Sequence, residues 1–229
     1  MMSILELKNI EKIYGNEIKT QVLYNVNLSI EKGTFNSIIG QSGSGKTTLL
    51  NIMGTLDKPT SGEVMVNGTN VKQMHNNKLS ALRNETIGFI FQFHYLLPEF
   101  TALENVLMPY QIKHGKVSKD AIKKAKEYLH LVGLENVMNN MATKISGGQQ
   151  QRAAIARALM NEPQIILADE PTGNLDSDST EVIYELLRDI NHQLGTTFII
   201  ITHDNRIAEK ADRMIEIKDG RIYQDVNKK

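Results

Sequence analysis

The stretch Phe35-Asn36-Ser37-Ile38-Ile39-Gly40-Gln41-Ser42-Gly43-Ser44-Gly45-Lys46-Thr47-Thr48-Leu49-Leu50 decides how this chain is read. Its first five residues form a short run of β-formers, and residues 48–56 carry the spacing of a helix. Between them, residues 40–47 fit G-x-x-x-x-G-K-[ST], in the strand–loop–helix context that the pattern requires. The chemistry follows from residue type. Gly43 and Gly45 lack a Cβ, so backbone N–H groups can turn inward toward an anion. The helix behind them adds partial positive charge at its N-terminus. Lys46 is placed to reach the outer phosphates of a nucleoside triphosphate, and the Thr47 hydroxyl to ligate Mg²⁺. Gly40, Gln41, Ser42, Ser44 and Thr48 complete the cradle. The pattern predicts nucleotide binding and leaves the use of the nucleotide open.

Outward from this loop, the sequence alternates. Strands are expected at 4–7, 22–30, 63–66, 87–91, 165–169, 197–202, 214–217 and 222–226. Asn67-Gly68 and Asp219-Gly220 are hairpin turns. Helices are expected at 79–84, from Thr101 to about Tyr110, and at 118–132, 149–160, 180–194 and 205–211. Thr101 and Glu104 have capping-box spacing, as do Ser146 and Gln149. Strands alternating with helices imply an α/β fold with a mostly parallel core sheet, preceded here by an N-terminal β part. Residues 93–145 interrupt the alternation. With the helix that follows, they make a helical insert of about 93–160 in a single domain spanning 1–229.

Composition excludes several classes. The chain has 229 residues, 26 Lys+Arg against 26 Asp+Glu, and no Cys or Trp. A chain of this length buries roughly 70–75% of the surface its unfolded form exposes, so it needs no disulfide or metal staple. Without Cys there is no thiolate zinc site, iron–sulfur cluster or catalytic thiol. Zero net charge argues against a generic polyanion binder, so no nucleic-acid partner is expected. No apolar run approaches the roughly 20 residues that span a bilayer. The start, Met1-Met2-Ser3-Ile4-Leu5-Glu6, lacks the cationic and apolar regions of a secretory leader. Taken alone, these features read as a soluble intracellular protein. The Lys-rich run 113–126 reads as a solvated helix face.

Ligand sites on parallel sheets lie off the carboxyl ends of the strands. Asp169, at the end of Ile165-Ile166-Leu167-Ala168, is therefore placed to hold Mg²⁺. Glu170 beside it either polarises an attacking water or caps the turn at Pro171-Thr172-Gly173. His203 and Gln92 also follow apolar strands. Each is either a structural residue or one that reaches the phosphates, a metal or a water. A second anion-receptive helix start lies at Ser146-Gly147-Gly148-Gln149, where two glycines bare the first-turn amides. One triphosphate does not obviously need two cradles about a hundred residues apart.

Together these motifs resemble the ATP-binding subunits of ABC transporters, over roughly residues 3–225. Residues 40–47 resemble Walker A, and residues 165–170 Walker B with its catalytic Glu170. Ser146, Gly147, Gly148 and Gln149 resemble the family signature. Gln92 is similar to the Q-loop, Asn174-Leu175-Asp176 to the D-loop, and His203 to the switch histidine. Tyr14 falls where the family stacks an aromatic ring on adenine. The resemblance implies ATP and Mg²⁺ as ligands, with Thr47, Gln92 and Asp169 around the metal and Glu170, Gln92 and His203 in catalysis. It also implies head-to-tail pairing with a second copy, whose Ser146 loop closes on the first copy's ATP.

Residues 84–109 and Ala168-Asp169-Glu170-Pro171-Thr172-Gly173-Asn174-Leu175-Asp176 are similar to the lipoprotein-release and macrolide-export group, of the LolD and MacB type. That similarity implies a transmembrane permease as partner and a place on the cytoplasmic face of the cell membrane. Residues 93–100 would face the permease or form the insert's core. A sensor module of a peptide-detoxification complex, or an ABC ATPase of DNA repair or translation, are the rival readings. Ile145 stands where a Leu is commoner, Thr47 where Ser is also used, and Asn36 in a strand that is usually apolar.

Overall fold

The computed structural model describes residues 3–15 and 17–228. Met1, Met2, Asn16 and Lys229 lie outside it, and with them the beginning of the stretch read for a secretory leader. The described residues run β1 (Ser3–Tyr14), β2 (Thr20–Glu31), β3 (Phe35–Ile39), α1 (Lys46–Met53), β4 (Ser61–Val66) and β5 (Thr69–Asn70). Next come α2 (Asn76–Thr86), β6 (Ile87–Phe91), α3 (Ala102–His114), α4 (Lys119–Leu131) and α5 (Gly147–Leu159). The last third is β7 (Ile165–Asp169), α6 (Ser177–Leu194), β8 (Thr197–Ile201), α7 (Asn205–Ala208), β9 (Arg213–Lys218) and β10 (Arg221–Asn227).

Two sheets form. The first is antiparallel, in the order β2-β1-β4-β5; the second has the order β10-β9-β3-β8-β7-β6. In the second sheet β9, β3, β8, β7 and β6 run parallel, and β10 folds back on β9. Period-two alternation explains how the sheets pack. Ile166 and Ala168 of β7, with Phe198 and Ile200 of β8, face a core shared with helices α3 to α6. Their neighbours Ile165, Leu167, Ile199 and Ile201 face the opposite core, which α1 and the antiparallel sheet fill. Strands buried on both faces read as near-continuous apolar runs, as these do.

The structure corrects several expected bounds. β1 extends to Tyr14 by absorbing register shifts, which broke the alternation that the sequence was read for. α3 runs past Tyr110 to His114 although Pro109 lies inside it. A proline there removes a helix hydrogen bond. Tertiary contacts hold the segment instead: Val106 and Leu107 are buried, and Asn84 Nδ2 donates to Pro109 O at 3.1 Å. α6 begins at Ser177, because Asp176 caps it by accepting from Ser179 N at 2.9 Å. Asn36 is wholly buried; its Nδ2 donates to Phe198 O at 3.0 Å, while Oδ1 has no partner. Along the Lys-rich run, Lys113 pairs with Glu85 at 3.3 Å and Lys124 with Glu162 at 2.8 Å.

Candidate functional site

Register places the site. Phe91 pairs with Asp169, Asp169 with Ile201, and Ile201 with Ile38. Gln92, Glu170, Thr202 and the loop after Ile39 therefore leave the sheet at the same, carboxyl end. The loop from Gly40 curls directly onto α1, whose N-cap is Gly45. Gly40 is required by close approach: a Cβ there would lie 2.2 Å from Ile217 O. Lys46 is buried, and its Nζ donates to Gly40 O and Gln41 O, both at 2.8 Å. The loop thus holds its lysine over its own carbonyls. Ser44 lies buried beneath the loop, its Oγ unpartnered.

A cleft of about 550 Å³ opens over this loop, lined by Gly40, Ser42, Lys46, Thr47, Glu170 and His203 among others. Gly43, Gly45 and Thr48 share the lining. Glu170 Oε2 stands 3.3 Å from His203 Nδ1. The Glu170 backbone is left-handed, at φ 45°, a conformation that costs a non-glycine residue about 1–2 kcal/mol. It is fixed there by Glu170 N donating to Ile201 O at 3.0 Å.

Asp169 stands behind Thr47, with Thr47 Oγ1 3.5 Å from Asp169 Oδ1. Burial pushes the Asp169 carboxyl above its ordinary range; the Thr47 contact opposes this, the Glu170 charge adds to it, and Lys46 opposes it. Two adjacent carboxylates, a neighbouring hydroxyl and a lysine already engaged by carbonyls suit a hard divalent cation, which takes oxygen ligands. The donor set therefore fits Mg²⁺.

Other expected site residues stand elsewhere. Gln92 does not line the cleft. Its Nε2 donates to Asn174 Oδ1 at 3.3 Å, and Asn174 Nδ2 donates to Gln92 O at 3.1 Å. Tyr14 is half-exposed beside α1 and does not line the cleft either. Its hydroxyl donates to Asp57 Oδ2 at 2.7 Å, and Lys12 Nζ sits 4.6 Å from its ring centre. Burial and the Asp57 carboxylate raise the Tyr14 phenol, with Thr48 opposing. Ser146, Gly147, Gly148 and Gln149 form the expected capping box, Gln149 N donating to Ser146 Oγ at 3.3 Å and Ser146 N to Gln149 Oε1 at 2.8 Å. This second helix start lies outside the cleft.

Sequence reasoning missed a second cleft, of about 440 Å³, between β6 and α3. Leu56, Phe91, Tyr95 and Ile112 give it apolar walls, and Arg83 and Arg157 line it without an acidic neighbour in the lining. Arg157 donates to Tyr95 O at 2.6 Å and His94 O at 2.8 Å, and burial lowers its guanidinium below the ordinary value. No local signal marked it, because its walls come from segments far apart in sequence, from Leu56 to Pro163. At the rim, Phe93 and Tyr95 are 61% and 66% exposed, which excludes them from the insert's core.

Known proteins resemble the chain over nearly its full length. The ABC transporter family matches residues 23–173. "Lipoprotein-releasing system ATP-binding protein LolD 1" of Rhodopseudomonas palustris is 47% identical, covering 97% of this chain and 99% of its own. The protein named LolD in Bacteroides thetaiotaomicron is 49% identical, covering 97% of this chain and all of its own. Among solved structures, the dimeric post-hydrolysis state of the ATP-binding cassette MJ0796 bound to ADP and Pi superposes with a TM-score of 0.90. It is 44% identical and covers 98% of this chain and 99% of its own. The cbiO1 structure from Clostridium perfringens, part of the cbiONQ transporter complex, has a TM-score of 0.88 at 29% identity, over 99% and 89% of the two chains.

Proposed function

This chain belongs to the ABC transporter family, and from that premise we propose that it powers a membrane complex that releases lipoproteins. It is an ATPase subunit, using ATP with Mg²⁺, that works with a membrane partner and a second cassette. Its place is the cytoplasmic face of the membrane, held peripherally by a permease; no described helix is long and apolar enough to cross a bilayer. Residues 1–229 form one cassette, with 93–160 as its helical insert.

The observation that carries the chemistry is the single cleft that gathers the glycine loop, Glu170 and His203. Backbone amides from 42 to 47 receive the phosphates. Lys46 exchanges its two loop carbonyls for phosphate oxygens. Thr47, Asp169 and Gln92 hold Mg²⁺, which neutralises charge on the phosphoryl oxygens when bound. Glu170 orients the attacking water and accepts its proton. His203, in contact with Glu170, steadies the outer phosphate. The Ser146 loop serves the second copy's nucleotide, which explains why it stands apart from its own cleft. Tyr14 supports the adenine.

The second cleft suits the permease. Its apolar walls, the exposed rings of Phe93 and Tyr95, and two guanidiniums without a lining carboxylate fit a cytoplasmic helix of mixed apolar and acidic character. Replacing Glu170 with Gln tests the chemical reading. The expected outcome is ATP affinity near that of the wild type, turnover lower by about 10²–10⁴-fold, and an ATP-trapped dimer on size exclusion. Undiminished turnover would remove Glu170 from the general-base role.

A further inference from the structure

Gln92 and Asn174 lie 82 positions apart in sequence and meet through two hydrogen bonds. The pairing is reciprocal: each residue donates its side-chain amide to the other. Asn174 Oδ1 receives the Gln92 side chain, and the Gln92 backbone carbonyl receives the Asn174 side chain. A third residue makes room for this. A Cβ on Gly173 would lie 2.8 Å from Gln92 Nε2 and 3.1 Å from its Cδ, so only glycine lets the Gln92 amide lie there. The segment also folds into successive turns. Gly173 N donates to Glu170 O and Leu175 N to Thr172 O, both at 3.0 Å, which ties Asn174 to Glu170 through successive turns. Gln92, like Asp169, stands just behind the residues that line the cleft, and its amide is engaged by Asn174.

We propose that Asn174 is a positioning residue for Gln92: the bond to Asn174 Oδ1 occupies the Gln92 amide, and breaks when that amide joins Thr47 and Asp169. The inference rests on the proposed reading of the cleft, in which Gln92 reaches Mg²⁺. Binding of Mg²⁺ then competes with the Gln92–Asn174 pair. The Mg²⁺ requirement is set partly by a residue that never touches the metal, at the head of the segment leading into α6. Of the two bonds only the one from Gln92 Nε2 must break, since the other ends on the Gln92 backbone carbonyl. One exposed hydrogen bond of ordinary net strength imposes a penalty of roughly three- to tenfold on Mg²⁺ affinity.

The test is a Mg²⁺ titration of the full chain with a fluorescent, non-hydrolysable ATP analogue, repeated in EDTA. Asn174→Ala should bind the analogue in EDTA as the wild type does, and reach half-saturation at roughly three- to tenfold less Mg²⁺. Gln92→Ala should need more Mg²⁺. The double variant should match Gln92→Ala, because Asn174 acts only through Gln92; a residue that merely supports the loop would still shift the midpoint in that background. Gly173→Ala, which crowds Gln92 out of the pair but keeps Asn174, should shift the midpoint as Asn174→Ala does. An unchanged midpoint in both Asn174→Ala and Gly173→Ala would overturn the inference, as would an equal shift with and without Gln92. If the wild-type chain bound no analogue with Mg²⁺ or in EDTA, the cleft reading would fail and the inference with it.

Discussion

Two helix starts in this molecule are built from the same residue types and differ in what surrounds them. At 40–47 the loop is walled in at Gly40 and Gly45, while Gly43 between them is open. A Cβ on Gly40 would meet Ile217 O, Lys46 is buried against the loop's carbonyls, and Glu170 and His203 close the cleft. At 146–149 the glycines stand open, with nothing within 4 Å of a Cβ added to Gly147 or Gly148. Both ends expose amides to an anion, yet only the first has the carboxylate and imidazole that could act on one. The first gathers the phosphate loop and the acting side chains in one chain; in the proposed pairing the second closes over the other copy's nucleotide, so neither copy would complete its own site. Glycine consequently serves two purposes here. Gly40 is needed so that this chain can fold, and Gly148 so that something else can approach.

The comparison breaks if the glycines prove interchangeable. Gly40→Ala should have the largest effect, because the obstruction is the backbone of β9, a strand paired on both sides, and cannot swing aside. Destabilisation of about 3 kcal/mol or more is expected in urea titration, with loss of ATP binding in whatever folds. A variant of wild-type stability would mean that the loop has slack that the 2.2 Å approach denies. Ser146→Ala should cost about 1 kcal/mol, the usual worth of an N-cap, because Gln149 N loses its acceptor. Since the open loop is outside the cleft, ATP affinity of the isolated chain should be unchanged in the same variant. A drop in that affinity would show that the two helix starts communicate within one chain.

What could be read from sequence divides along the same line of locality. The glycine loop, both capping boxes and the apolar strand runs are each contained in a few consecutive residues, so pattern alone located them. The carboxyl-end rule then put Asp169, Glu170, Gln92 and His203 at one end of the sheet, which register bears out as a matter of placement. Contacts across long separations left no such trace. Lys12 donates to Asp57 at 2.7 Å across 45 positions, and Tyr14 joins the same carboxylate. Burial alone would raise Asp57, but the bonds from Lys12 and Tyr14 hold it below the ordinary carboxylate range. That arrangement ties down the ring expected to support adenine, and nothing in Lys12-Ile13-Tyr14 announced it. Gln92 was legible as a strand-end residue; its bond to Asn174 was not. α3 passes Pro109 because packing outweighs the proline, a term that periodicity does not contain.

The smallest expected effect separates the two glycine roles most sharply. Gly148 is the second residue of α5, and an alanine there meets no neighbour. Glycine in a helix is less favourable than alanine by roughly 0.5–1 kcal/mol, because it loses more backbone entropy on folding. Gly148→Ala should therefore stabilise the isolated chain by up to about that amount, opposite in sign to Gly40→Ala. ATP binding by the single chain should not change. Hydrolysis should fall steeply, because the methyl group would stand between the bared amides and an approaching phosphate. A stabilising change that removes turnover cannot act through the fold of this chain, so it must act on what docks against the loop. Equal turnover in Gly148→Ala and wild type would instead leave the open loop as a well-capped helix start, with no second chain required.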